Sequence, residues 1–141
     1  MQTPCSDYCE TKGLVYFARM LDKIRLHAEG RLPPDYFLGV DDPTFFDARC
    51  TRFLGVNYDE LASRTLEGGS NNEILDWCFA RGRKPGDEEI LIWNAFLAKR
   101  GWRDEASTEL QAAKELLGWG DRDEIQTWVD LHEAEEGRLG A

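Results

Sequence analysis

The sequence predicts an all-α fold, on three observations. Helix-start and helix-stop residues recur from end to end of the chain. No stretch alternates apolar and polar side chains as a half-buried strand must. The length, 141 residues, suits one domain of ordinary size, which buries roughly two thirds of its unfolded surface without metal or disulfide staples. The expected architecture is a compact single-domain helical bundle of about six to seven helices, with an extended segment near residues 35–40. Its expected limits are a mobile N-terminal segment over 1–13, the helical domain over 14–133 and a frayed polar tail over 134–141.

Each element has its own signal. The first helix is expected from about Leu14 to Glu29, with Leu14, Phe17, Leu21, Ile24 and Ala28 on one side and Gly30 as its stop. Pro33 and Pro34 lack a donor and restrict the residues before them, so Tyr36 to Val40 should run extended, packed across the bundle or as a short strand. Asp42 and Pro43 then read as N-cap and first residue of a helix through Phe46, Cys50, Phe53 and Leu54, closed at Gly55. Asn57 with Glu60 and Ser70 with Glu73 mark the next two starts, and Gly68-Gly69 and Gly82 mark their ends. Asp87 opens the helix of ILIWNAFLA, which is apolar on nearly all sides and so is expected at the bundle's centre. Asp104 should cap a helix with Ala106, Leu110, Ala113 and Leu117 on one stripe. Asp121 with Glu124 should cap a last helix carrying Ile125, Trp128, Val129 and His132.

Composition limits the partners. A formal net charge of −10 disfavours nucleic acid and anionic membrane surfaces, because neutralising phosphates supplies most nonspecific affinity for either. The amino terminus has no basic region followed by an apolar one, and no run of residues approaches a transmembrane helix, so a cytoplasmic location is expected. Reduced thiols are then the default for Cys5, Cys9, Cys50 and Cys78, with the last two on apolar helix faces. Structural zinc usually takes two close cysteine pairs, and only Cys5 and Cys9 are close. His132-Glu133-Ala134-Glu135-Glu136 has glutamate where a zincin motif places its second histidine. No metal or other cofactor is expected.

The densest cluster of charge is RMLDKIR, Arg19 to Arg25. On a helical wheel Arg19, Asp22 and Lys23 lie opposite the apolar arc and Arg25 lies at its edge. Asp22 then stands one turn from both arginines, which suits a fixed ion pair better than a poised acid. Val15 and Leu26 interrupt this polar side, so something should pack there and leave the cluster half buried. Arg19, Lys23 and Arg25 are candidate anion ligands, a reading that requires at least one of them to keep a free face beside a pocket. Asn94, an amide inside ILIWNAFLA, should tie helices together or face a pocket. Arg103, beside the capping Asp104, completes the candidates. No nucleophile has an evident base, so an enzyme would rely on Asp22 or Asp41 as base with Lys23, Arg25 or Tyr36 for charge stabilisation.

RMLDKIR, the following GRLPPDYFLGVDDPTFF and the later EILDWCFARGRKPGDEEILIWNAFLAKRGWRDE resemble a bacterial family known only as a domain of unknown function, the one numbered 5069. The resemblance runs from about Leu14 to Glu133 and leaves Cys5 and Cys9 outside it. Its most specific parts are D-K-x-R in the first helix, Tyr36, and Asn94 to Asp104. It implies a helical single domain and carries over no catalytic residue. The expected function is therefore a binding or interaction module, for a small anionic molecule held by Arg19, Asp22, Lys23, Arg25, Tyr36, Asn94 or Arg103, or for a protein partner. The alternatives are a small cofactor-free enzyme and a structural subunit of a larger assembly.

Overall fold

Lys12 and Gly13 take φ angles of 51° and 82°, and positive φ at both central residues is what a two-residue type I′ hairpin loop requires. They fold Glu10–Thr11 (β1) back onto Leu14–Val15 (β2) as an antiparallel pair, Thr11 against Leu14 and Glu10 against Val15. The computed structural model describes residues 1–139. The hairpin corrects the expected start of the first helix: Leu14 and Val15 belong to a strand, Tyr16 turns the chain at φ 76°, and α1 spans Phe17–Ala28. Gly30, at φ 70°, follows its end as expected.

Six further helices follow among the described residues, so the all-α expectation holds: α2 Phe46–Leu54, α3 Tyr58–Leu66, α4 Asn71–Arg81, α5 Asp87–Lys99, α6 Ser107–Leu116 and α7 Trp128–Glu135. Local caps explain several boundaries. Asn57 accepts from Glu60 N at 3.0 Å, and Ser70 and Glu73 form a reciprocal capping box. Three capping expectations fail, two of them because a short acidic side chain serves a turn as readily as a helix. Asp42 Oδ1 accepts from Thr44 N at 2.8 Å, making a turn that delays α2 until Phe46. Asp104 caps the bend at Gly101 and Ala106, so α6 opens only at Ser107. Thr127, not Asp121, caps α7: its hydroxyl accepts from Asp130 N while Asp130 Oδ2 accepts from Gln126 N, both at 3.0 Å.

By its contacts the chain groups into two compact units, 1–91 and 92–141, with the division falling inside α5. In the first, α1 packs on α3 and β1, and α4 packs on α3 and β1. Its core joins Phe17, Met20 and Leu21 of α1 to Cys50 and Leu54 of α2, Leu61 of α3, and Ile74, Leu75 and Cys78 of α4. The segment before Leu14 contributes buried Pro4, Asp7 and Thr11. In the second unit Leu110, Ile125 and Leu131 form a core against which Ala113, Trp119, Trp128, Ala134 and Leu139 pack. Arg138 reaches Glu136 at 2.5 Å, while residues 140 and 141 of the expected frayed tail lie outside the described residues.

Two expectations about helix faces are corrected. The helix of ILIWNAFLA buries only Trp93 and Leu97, and its Leu91 and Ile92 are 62% and 60% exposed. A narrow stripe suffices to dock it, so an apolar sequence does not place α5 at a centre. The α6 stripe holds at Ala106, Leu110 and Ala113, but the buried face also takes in Lys114, and Leu117 lies exposed beyond the helix end.

Candidate functional site

The cations of RMLDKIR do not line a polar face. Arg19 and Lys23 are only 3% and 6% exposed, because the hairpin, the amino-terminal segment and residues 36–47 cover that side of α1. Lys23 lies at the centre of a buried network. Its ammonium meets Asp47 Oδ1 at 2.8 Å and donates to Tyr16 OH and the Phe37 carbonyl, each at 2.9 Å. Tyr16 OH donates to Asp47 Oδ1 at 2.5 Å, and Gly39 N donates to Asp47 Oδ2 at 2.9 Å. Burial, reinforced by the Asp47 carboxylate, holds the Tyr16 hydroxyl proton well beyond the ordinary phenol range.

The remaining candidates on α1 also have internal partners. Arg19 Nε lies 3.7 Å from Asp7, its Nη1 donates to the Cys5 carbonyl, and its guanidinium stands over the Tyr36 ring at 5.8 Å. Asp22 is half buried, accepts from Cys5 N at 3.0 Å and meets Arg25 at 3.5 Å. Arg25 also donates to Asn71 of α4 at 2.8 Å. Of the two arginines expected to bracket Asp22, Arg25 pairs with it, while Arg19 reaches Asp7 and the Cys5 carbonyl and a backbone amide of the amino-terminal segment is the other partner shown for Asp22. Asp41, the other proposed base, is exposed. Asp7, Tyr16 and Asp47, which complete these networks, escaped the sequence reading. Asp47 had a signal: with Cys50, Thr51 and Leu54 it falls at helical spacing on the buried face of α2.

Asn94 and Arg103 belong to the second unit. Asn94 is half buried on α5. Arg103 sits in a loop built around Gly101, whose φ of 99° and close neighbours, Leu110 Cδ2 and Trp128 Cδ1 at 3.0 and 3.2 Å from any added Cβ, would leave a side chain both strained and crowded. Asp104 Oδ2 accepts from Gly101 N at 3.0 Å, and Ser107 Oγ donates to Gly101 O at 2.8 Å. So anchored, the loop holds Arg103 itself at φ 51°, a conformation non-glycine residues rarely take, with its guanidinium over the Trp102 ring at 5.0 Å.

This loop walls a cleft of about 470 Å³ whose lining also includes Leu110, Gln111, Lys114, Ile125 and Gln126. Lys114 is its unusual member. The residue is 4% exposed, and its ammonium donates to the Ile125 carbonyl at 2.9 Å. No carboxylate pairs with it among the described residues, and none pairs with Arg103. Elsewhere the deeply buried cations Arg19 and Lys23 each face an aspartate. A second cleft, of about 400 Å³, is lined by Asp59, Glu60, Ser63, Trp77 and Arg81, where Arg81 and Glu60 already pair at 2.9 Å.

Fold and site together define a small all-α protein whose first unit commits its buried charges to joining helices and whose second unit sets an unpaired lysine in a cleft. The family model described as Domain of unknown function (DUF5069) matches residues 1–138, and the chain belongs to that family. The match includes Cys5 and Cys9, which the sequence resemblance had left outside. No curated protein matches the chain significantly. Among the described residues no helix is long and apolar enough to cross a membrane.

Proposed function

We propose that this protein is a binding module for a small anionic ligand, held in the cleft between the Gly101–Ser107 loop and the Ile125–Gln126 segment rather than beside α1. One observation carries the reading: Lys114 is buried at that cleft with no counter-charge. A buried ammonium is costly unless a charge or several acceptors compensate it, and a single carbonyl supplies little of that compensation. An anion entering the cleft supplies the rest, with Arg103 at the rim as a second cation. The cations of α1 serve structure in this reading. A cytoplasmic setting belongs to the same proposal and is supported by four cysteines that stand as free thiols.

The test is thermal unfolding of the full chain in sodium phosphate and in sodium salts of short carboxylic acids, each against sodium chloride of equal ionic strength. A ligand that favours the native state raises its apparent stability. The expected result is a saturable rise in Tm with at least one anion, absent in Lys114→Met and reduced in Arg103→Gln. No rise over chloride, or an undiminished rise in Lys114→Met, removes the proposal.

A further inference from the structure

We infer that the ligand of this cleft is a monocarboxylate with an apolar body, and not a phosphate; the inference rests on the anion-binding reading above. The donors that remain unengaged carry the argument. Phosphate sites are commonly cradles of several backbone N–H groups, and here, among the described residues, the amides along the cleft already have acceptors except that of Arg103, a single N–H that makes no cradle. Gly101 N donates to Asp104, Trp102 N to the Lys99 carbonyl, Ser107 N to the Asp104 carbonyl, Ile125 N to the Arg122 carbonyl and Gln126 N to Asp130. The Ser107 hydroxyl proton points to the Gly101 carbonyl. What remains in the interior is the Lys114 ammonium, with three donors and one in use.

Inside the cleft, one positive charge with two donors to spare matches a carboxylate in charge and in its two oxygens; Arg103 adds its charge only from the rim, where its guanidinium lies over the Trp102 ring. A phosphate monoester carries about −1.5 to −2 near neutral pH and offers three acceptor oxygens. That excess charge would stand in a chain whose net charge is already −10.

The rest of the lining fixes what the carboxylate must be attached to. Leu110 and Ile125, 4% and 1% exposed, flank Lys114, and the half-exposed Trp102 ring stands at the entrance. With the carboxylate on Lys114, the atoms that follow meet the edges of Leu110 and Ile125 and, chiefly, the Trp102 ring, and burying them contributes through lost apolar area. The Gln126 side chain reaches no acceptor or donor within the protein among the described residues, which leaves it for a polar group further along the ligand. Free apolar acids and the carboxyl terminus of a peptide share this chemistry.

Amide NMR titration of the full chain separates the cases, using acetate, hexanoate, hexanamide, methyl phosphate and an N-acetylated tripeptide ending in leucine, each at constant ionic strength. Hexanoate is expected to shift resonances around Gly101 and Gln126 at least about tenfold more tightly than acetate, since it adds four methylenes to bury. It should also exceed methyl phosphate and hexanamide by a similar factor, and Lys114→Met should abolish the difference between hexanoate and hexanamide. If Lys114→Met does not fold, the wild-type ranking and the loss of affinity in Arg103→Gln still decide. Methyl phosphate binding as tightly as hexanoate overturns this inference and leaves the anion reading in place. Failure of every anion, or hexanamide equal to hexanoate, overturns both. The tripeptide binding more tightly than hexanoate assigns the carboxylate to a peptide end, and the reverse assigns it to a free acid.

Discussion

Asp47 receives three donors from three parts of the chain: Lys23 on α1, Tyr16 before it, and Gly39, at φ 90° in a segment that turns and bends where an extended stretch was expected. Asp47→Asn keeps the size of the side chain but leaves the Lys23 ammonium buried without its counter-charge. Removing one member of a buried ion pair costs about 3–5 kcal/mol, so the urea midpoint should fall by that equivalent at unchanged slope. Lys23→Met leaves the Asp47 carboxylate buried but still accepting from Tyr16 OH and Gly39 N, and so should cost less than Asp47→Asn, which leaves an ammonium with no counter-charge. The opposite order would mean that Lys23 escapes to solvent. This network shows where residue-level reading stopped. Val15 and Leu26 did signal that the charged side of α1 is covered, and both are buried. A wheel, however, ranks only residues of its own helix. It could not supply Asp7 or Asp47 as partners, and it left Arg19 and Lys23 on a polar face that does not exist. Lys114 illustrates the same limit: its place one turn after Leu110 was visible, but lysine at a stripe edge normally reaches solvent along its stem.

At the scale of elements, Gly82 joins the end of α4 to the end of α2. A Cβ there would lie 2.1 Å from the Leu54 carbonyl oxygen and 2.7 Å from that of Gly55, and Arg83 N donates to the same Leu54 oxygen at 3.0 Å. Both obstacles are backbone, so no rotamer change relieves them. Gly82→Ala should therefore cost more than the roughly 1–3 kcal/mol typical of overpacking. Gly30→Ala, where φ is 70° but nothing lies within 4 Å, should cost only the roughly 1–2 kcal/mol of left-handed strain. Equal losses in thermal unfolding would remove close approach as the explanation at Gly82. Gly82 was legible as a stop, yet not through a left-handed φ: its φ is −108°, its ψ of −100° lies outside the regions that side-chain-bearing residues favour, and the backbone approach adds to that. Helix existence was legible because caps and periodicity are local. The starts of α2 and α6 were displaced because Asp42 and Asp104 hold turns instead of helix ends, and that of α7 because Thr127, six residues after Asp121, supplies the cap. The hairpin went unseen because its strands are only two residues each, too short for alternation to register.

For the molecule as a whole, the buried acids that stay protonated set a limit on the alkaline side. Burial first, and then the Asp47 carboxylate, push the Tyr16 hydroxyl and the Cys50 thiol upward from ordinary values of 10.0 and 9.0, and burial pushes the Cys78 thiol up to about 12. In the unfolded chain these groups release protons at their ordinary values, whereas the native state retains them. Between the two values the native state binds more protons, so stability must fall as pH rises. The contribution is complete below about pH 9, begins to be lost there through Cys50 and Cys78 and also through Cys5, whose thiol is likewise raised by burial, and is lost faster above about pH 10 as Tyr16 and the similarly raised Tyr58 join. Each group contributes at most about 1.4 kcal/mol per pH unit. Urea unfolding at about pH 8, 9.5 and 11 should show this two-stage decline at fixed ionic strength. Cys50→Ala and Cys78→Ala should flatten it from its onset, while Tyr16→Phe should flatten only the steeper part, after losing some stability at every pH through the missing bond to Asp47. The competing cause is repulsion within a chain of net charge −10, which grows as surface groups lose protons but is screened by salt. A decline that persists at high salt and is reduced by Tyr16→Phe assigns it to the buried acids. One that salt abolishes and Tyr16→Phe leaves unchanged assigns it to the surface.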